Sequence, residues 1–210
     1  WVQDAAAALP VRLLGDIHGK TALDLCAAPG GKTLQLAALG ASVTAVDISE
    51  RRLKRLTQNL QRTGLNADVK VMDAFALADV HFDVIVLDAP CSATGTMRRH
   101  PDLPHAKNGS DLFSLIELQR KLLRHALGLL APGGRLVYCT CSLLPDEGEA
   151  QVEALIGENK QIKVDPATFQ HPHVNPKWAV NGLGLRLRPD GLAEQGGMDG
   201  FFVSLLHKKD

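Results

Sequence analysis

Short apolar runs that alternate with helix-like stretches constrain this chain more than any other feature. The runs "TALDLC" (21–26), "SVTAVD" (42–47), "DVKVMD" (68–73), "FDVIVLD" (82–88) and "RLVYCTC" (135–141) read as strands. The near-continuous apolar character of "DVIVL" and "LVY" suits strands covered on both faces, as in a parallel sheet. Between the second and third runs, Leu53, Leu56 and Leu60 recur at helical spacing, with Ser49 as an opening cap and Gly64 as a stop. A longer stripe runs from Leu112 through Ile116, Leu123 and Leu127 to Leu130 and closes at "APGG" (131–134). After Cys141, the Pro and the acids of "LPDEGEAQVEALI" stand where a helix start favours them. This alternation predicts an α/β fold with a doubly wound, mostly parallel sheet. In the Pro- and Gly-rich tail, "GLRLRP" and "GFFVSLLHK" (200–208) read as strands that could pair as an antiparallel edge. At 210 residues the chain is expected to form a single domain over 1–210.

Charge narrows the choice of partners. Lys plus Arg and Asp plus Glu number 23 each, so there is no global field to attract a polyanion. Nucleic acid would have to be held by local patches, for which "RRLKR" (51–55), "RRH" (98–100) and "RKLLRH" (120–125) are the candidates, each equally readable as a solvated face. No apolar run approaches the ~20 residues that span a bilayer, and no secretory signal is visible, so a cytoplasmic protein without a membrane partner is expected. The four cysteines, Cys26, Cys91, Cys139 and Cys141, are then not expected to form disulfides. Cys139 and Cys141 lack a second close Cys/His pair, with "HPH" (171–173) the nearest, and no metal is expected.

The stretch "CAAPGGKT" (26–33) looks at first like a phosphate loop. That motif needs Gly at position 26, where the chain has Cys, and the dinucleotide fingerprint is missing too. A strand, a glycine turn and a helix remain, at the place where open α/β sheets bind ligands. Gly30 and Gly31 are expected to let the backbone approach that ligand. Asp47, Asp73 and Asp88 end successive strands. The first is placed to accept both ribose hydroxyls of a nucleoside, and the second to meet an adenine amino group. An adenosine without a polyphosphate fits this set, and S-adenosylmethionine is such a cofactor.

Two thiols are expected at the same edge. "LDAPCSATG" (87–95) follows the fourth strand and "YCTCS" (138–142) ends the fifth; neighbouring strands lie about 4.8 Å apart. Cys26 and Cys139 read as buried small hydrophobes, whereas Cys91 and Cys141 sit in turns. A thiolate beside a methyl donor suits a target carbon that is not nucleophilic by itself, such as carbon-5 of cytosine. Addition of the thiolate to carbon-6 makes carbon-5 enamine-like. A protonated Asp88 could assist at ring nitrogen-3, provided its site raises its pKa. The group that activates the thiol is not visible in the sequence.

"VQDAAA", "LDLCAAPGGKT", "VDIS", "LDAPCSATGTMRRHPD", "LLAPGGRLVYCTCSLLPDEGE" and "MDGFFVSLL" together resemble the Sun/Fmu-type RNA (cytosine-5) methyltransferases, RsmB-like in bacteria. The resemblance covers nearly the whole chain. It implies a Rossmann-like class I S-adenosylmethionine-dependent methyltransferase, with Cys26, Ala27, Ala28, Pro29, Gly30, Gly31, Lys32, Asp47, Asp73 and Asp88 around the cofactor. It further implies Cys141 as nucleophile, Cys91 as an aid to product release, and Lys32 near the donor. The implied substrate is RNA, ribosomal first and transfer RNA second. The family usually carries an N-terminal RNA-binding region, and almost nothing precedes "VQD" here; after "RRHPD" this chain has "LPHAKNGSD" where members often continue with Trp and basic residues. DNA cytosine-5 methyltransferases are a rival, since their thiolate follows the fourth strand, at the position of Cys91. A donor- or RNA-binding module without activity and a small-molecule methyltransferase are the others.

Overall fold

The computed structural model describes residues 1–106 and 108–209; Lys107, within "LPHAKNGSD", lies outside them. The elements are α1 (Ala5–Arg12), β1 (Thr21–Leu25), α2 (Gly31–Ala38), β2 (Ser42–Asp47), α3 (Glu50–Thr63), β3 (Asp68–Val71), β4 (Phe82–Asp88), α4 (Leu103–Ala106), α5 (Leu112–Gly128), β5 (Leu130–Thr140), α6 (Glu149–Glu158), β6 (Ile162–Val164), α7 (Ala167–Gln170), β7 (Ala179–Val180), β8 (Gly184–Leu187) and β9 (Phe201–Lys208). They form one sheet in the order β3-β2-β1-β4-β5-β9-β8-β7, with β6 also on β9. Strands β1 to β5 pair in parallel, and β9 runs antiparallel to both β5 and β8.

Strand alternation explains the apolar runs. Leu23, Leu25, Ile85, Leu87, Leu136 and Tyr138 face one side, where they pack with Leu122, Leu123 and Ala126 of α5 and Val152 of α6. Ala22, Val84, Val86, Val137 and Cys139 face the other, against Ala6, Leu9 and Val11 of α1. Helix α3 adds Leu53, Leu56 and Leu60, packed on Leu34 and Ala45. Its ends are those expected: the Ser49 side chain accepts from the Arg52 N–H, and Gly64 closes it in a left-handed conformation.

Four features differ from the sequence reading. Strand β1 stops at Leu25 because Cys26 turns to φ +62°. Strand β3 stops at Val71, and Asp73 instead caps a following 3₁₀ turn. Strand β5 starts at Leu130 and takes in "APGG", which forms an irregularity opposite Phe82–Val84; it ends at Thr140, one residue short of Cys141. The antiparallel pair of β8 and β9 is present, but β9 is an interior strand between β5 and β8, buried from Phe201 to Leu206. Among the described residues no helix is long and apolar enough to cross a membrane.

Candidate active site

The strand order reverses between β1 and β4, so the segments that leave these strands open a crevice at the carboxyl edge of the sheet. Residues 26–32 form one wall. The Ala27 N–H donates to the Val46 carbonyl (3.0 Å) and the Ala28 N–H to Asp47 Oδ2 (3.1 Å), which ties this loop to the end of β2. The Ala28–Pro29 bond is cis. Gly30 has φ +106°, and a Cβ there would stand 2.3 Å from Leu56 Cδ1. Gly31 opens α2, with the Gln3 amide beside its Cα. Backbone conformation and packing against α3 and Gln3 thus constrain these two positions as well.

Asp47 is buried, and its second oxygen accepts from the Ser49 N–H at 2.9 Å. Arg52 spans the same region, with a guanidinium nitrogen 3.8 Å from Asp47 and another on the Ala28 carbonyl. Asp73 is exposed and accepts from the Phe75 N–H. A cleft between these acids is walled by Ile48, Phe75, Pro90 and Leu118, with Cys26 at its base. Ile48 is 74% exposed and Phe75 40%. Apolar side chains left open on either side of a narrow cleft suit a flat heteroaromatic ring, with the acids at its rim for hydroxyl and amino groups.

Deeper in the crevice, Lys32 Nζ lies 2.6 Å from Asp88 Oδ2 and 5.2 Å from the centre of the Phe201 ring. Burial disfavours the ammonium, but Asp88 more than offsets this and the Lys32 pKa rises above its ordinary value. The ion pair therefore favours the ammonium form of Lys32. The Cys139 thiol approaches the other Asp88 oxygen at 3.7 Å. Below them Asp24, which the sequence reading missed, is fully buried; it accepts from the Thr33 hydroxyl at 2.6 Å, and its other oxygen has no partner among the described residues. Burial pushes Asp24 up to about 7, although Thr33 and Lys32 pull the other way.

Cys91 and Cys141, from the segments after β4 and β5, bring their Sγ atoms to 3.4 Å. The pair is asymmetric. The Cys91 thiol is pushed well above its ordinary value, first by its bond to Cys141 and then by burial. Cys141 is lowered, chiefly because Cys91 donates to it, with the Lys32 charge adding to this against the effect of burial. The group that favours a Cys141 thiolate, which the sequence left unnamed, is therefore the neighbouring thiol.

Both cysteine segments are held by side chains that carry no such role in the sequence reading. Glu147 is fully buried: Oε1 accepts from the Ser92 N–H and from Gln119 Nε2 (2.9 Å each), and Oε2 accepts from the Ser92 hydroxyl. Gln119 also donates to the Pro90 carbonyl at 2.8 Å, so Cys91 is bracketed on both sides. Arg186 donates to the Ser142 and Leu144 carbonyls and pairs with Glu149, while its guanidinium lies 5.1 Å from the Phe202 ring. The Gly95 N–H donates to the Cys141 carbonyl, and the Gly200 N–H to that of Gly95; a Cβ on Gly95 would stand 1.9 Å from the Gly200 oxygen. Asp199 beside it accepts from Arg99 through Nε and Nη2, and its N–H donates to Asp4. The motifs "VQD", "RRH" and "MDG" thus meet around the two thiols.

Residues 11–207 match the family described as "16S rRNA methyltransferase RsmB/F". The chain is 42% identical to ribosomal RNA small subunit methyltransferase B of Cronobacter sakazakii, over 99% of this chain and 47% of that protein, so it spans about half the length of such relatives. Among solved structures it superposes on NSun6 from Pyrococcus horikoshii, solved "with SFG", at TM-score 0.85 and 29% identity, over the whole of this chain and 53% of the other. A methyltransferase homologue from the same organism superposes at TM-score 0.78 and 33% identity, over 99% of this chain and 68% of that one.

Proposed function

Since the chain belongs to the RsmB/F family of 16S rRNA methyltransferases, we propose that it methylates carbon-5 of cytosine in RNA, small-subunit ribosomal RNA first, with S-adenosylmethionine as donor and Cys141 as covalent nucleophile. One observation carries this reading: the thiols of Cys91 and Cys141 lie 3.4 Å apart, beside the ion pair of buried Lys32 and half-buried Asp88 at the switch point of the sheet.

The donor set fits. Asp47 at the end of β2 can accept from ribose hydroxyls through its free lone pairs, Asp73 can meet an adenine amino group, and Ile48 and Phe75 can cover the ring faces. Residues 26–32 form the adjoining wall. When bound, the donor supplies a methyl group on a cationic sulfur.

The protein's own part begins with Cys141, whose thiolate adds to carbon-6 and forms a C–S bond while the ring electrons move towards carbon-5 and nitrogen-3. Lys32 holds the proton that this ring needs. Transfer along the 2.6 Å contact lets Asp88 donate at nitrogen-3, which accounts for a carboxylate paired in the resting protein but able to act as an acid. Once Cys141 is a thioether it no longer accepts from Cys91. Cys91, released from that bond, loses its S–H proton to solvent and as thiolate takes the carbon-5 proton; the C–S bond then breaks, Cys141 leaves as thiolate and nitrogen-3 returns its proton to Asp88. The cytosine has to be unstacked for both faces to be reached.

The test is transfer of labelled methyl to small-subunit ribosomal RNA from cells that lack the enzyme, followed by digestion to nucleosides. The reading predicts label in 5-methylcytidine. Label in another nucleoside, or label confined to transfer RNA, contradicts the base or the substrate assigned here.

A further inference from the structure

The basic stretches singled out in the sequence part company in the structure. Arg98 and Arg99 are neutralised by Asp4 and Asp199, Arg120 and Lys121 by Glu117, and Arg124 by Glu158. In "RRLKR", Lys54 pairs with Glu50 and Arg52 turns inward to Asp47 and the Ala28 carbonyl. Arg51 and Arg55 differ: among the described residues neither has a carboxylate within 4.0 Å. Both are exposed, and together with Arg52 and Pro29 they line a recess of about 390 Å³.

A merely solvated helix face tends to alternate its charges, as at Glu50–Lys54 and Glu117–Lys121. Like charges one helical turn apart, as at Arg51 and Arg55, cost a few tenths of a kcal/mol (roughly 0.2–0.5) instead. Guanidinium groups match phosphate oxygens in bidentate fashion. The recess also has a position that matters. Pro29 belongs to the loop that carries Lys32 into the crevice, so an anion held there lies one loop away from the reacting edge.

We propose that Arg51 and Arg55 hold a backbone phosphodiester of the RNA strand whose cytosine enters the crevice, and that the strand passes over Pro29. This rests on the RNA methyltransferase reading above and adds the place where the strand is gripped. Arg52 stays with the donor loop, because its guanidinium already serves Asp47 and Ala28.

The test compares the Arg51→Gln/Arg55→Gln protein with wild type and with Arg120→Gln/Arg124→Gln, which removes the same charge from paired positions. Binding of a small-subunit ribosomal RNA fragment is measured over a salt series. Loss of the grip on one phosphodiester of a single strand reduces the magnitude of the slope of log K against log salt by about 0.7. The proposal predicts that decrease for the 51/55 variant alone, together with a higher KM for RNA, an unchanged kcat and unchanged donor affinity. An unchanged slope overturns it, as does an equal decrease in both variants, which would reflect general field rather than contact. If wild type methylates RNA while the slope is unaltered, only this proposal falls; if wild type transfers no methyl to RNA, the functional reading falls with it.

Discussion

Cys91→Ala removes the S–H that Cys141 accepts at 3.4 Å and leaves its other surroundings in place. A hydrogen bond to a charged group contributes about 1.5–3 kcal/mol. Its loss therefore moves the Cys141 pKa up. Burial and the Asp88 charge, which oppose the thiolate, then outweigh Lys32, so the thiol ends above its ordinary value. The assay is the rate of Cys141 alkylation by iodoacetamide as a function of pH, read by mass spectrometry of its peptide so that Cys91 in the wild type is scored separately. Cys91→Ser retains a donor and should fall between the two. A midpoint in Cys91→Ala equal to or below that of wild type would refute the claim that one thiol activates the other.

Two further outcomes follow from the buried acids. Glu147→Ala removes the buried carboxylate that accepts from the Ser92 N–H, the Ser92 hydroxyl and the Gln119 amide, and should lower the urea midpoint by an amount equivalent to on the order of 3 kcal/mol, with the slope unchanged and methyl transfer lost; a shift below about 0.5 kcal/mol would mean that Glu147 does not anchor the Cys91 segment. Asp24 binds its proton more tightly when folded (about 7) than when unfolded (about 3.9), so its contribution to stability is complete below about pH 4 and is lost as pH rises through 7. Asp24→Asn keeps an acceptor for Thr33 but cannot ionise; the stability of wild type relative to this variant should therefore fall between pH 4 and 7 and level off above, and a gap that stays constant over that range would contradict a perturbed Asp24.

Much of this was legible in the sequence because it rests on period and chain order. Parallel strands buried on both faces must be apolar throughout, and a helix such as α3 carries its leucines at a fixed spacing between recognisable caps. The order of the strands then brings Asp47, Asp88, Cys91 and Cys141 to one edge without knowledge of any distance. What escaped depends on contacts between distant segments. Glu147 stands at a helix start, where an acid is ordinary, and only the fold shows that it is buried between Ser92 and Gln119. The need for Gly30 comes from Leu56, which lies 26 positions further along the chain. Which thiol is favoured as thiolate is a property of the pair, so neither local motif could reveal it. Asp24 did leave a signal, a lone acid inside the apolar run "ALDL", and a reading alert to buried polar residues would have found it. The basic stretches show the reverse case: three look alike as text, and only their partners separate them.

The central claim is that Cys141 bonds covalently to the substrate and Cys91 releases it. The most direct measurement is a denaturing gel of protein incubated with S-adenosylmethionine and small-subunit ribosomal RNA, at pH 9 so that a fraction of the Cys141 thiol is ionised in Cys91→Ala as well as in wild type. The account predicts a protein–RNA band that accumulates in Cys91→Ala, is faint in wild type and is missing from Cys141→Ala and from the double variant. A band that persists in Cys141→Ala and disappears with Cys91 would exchange the two roles and contradict the account.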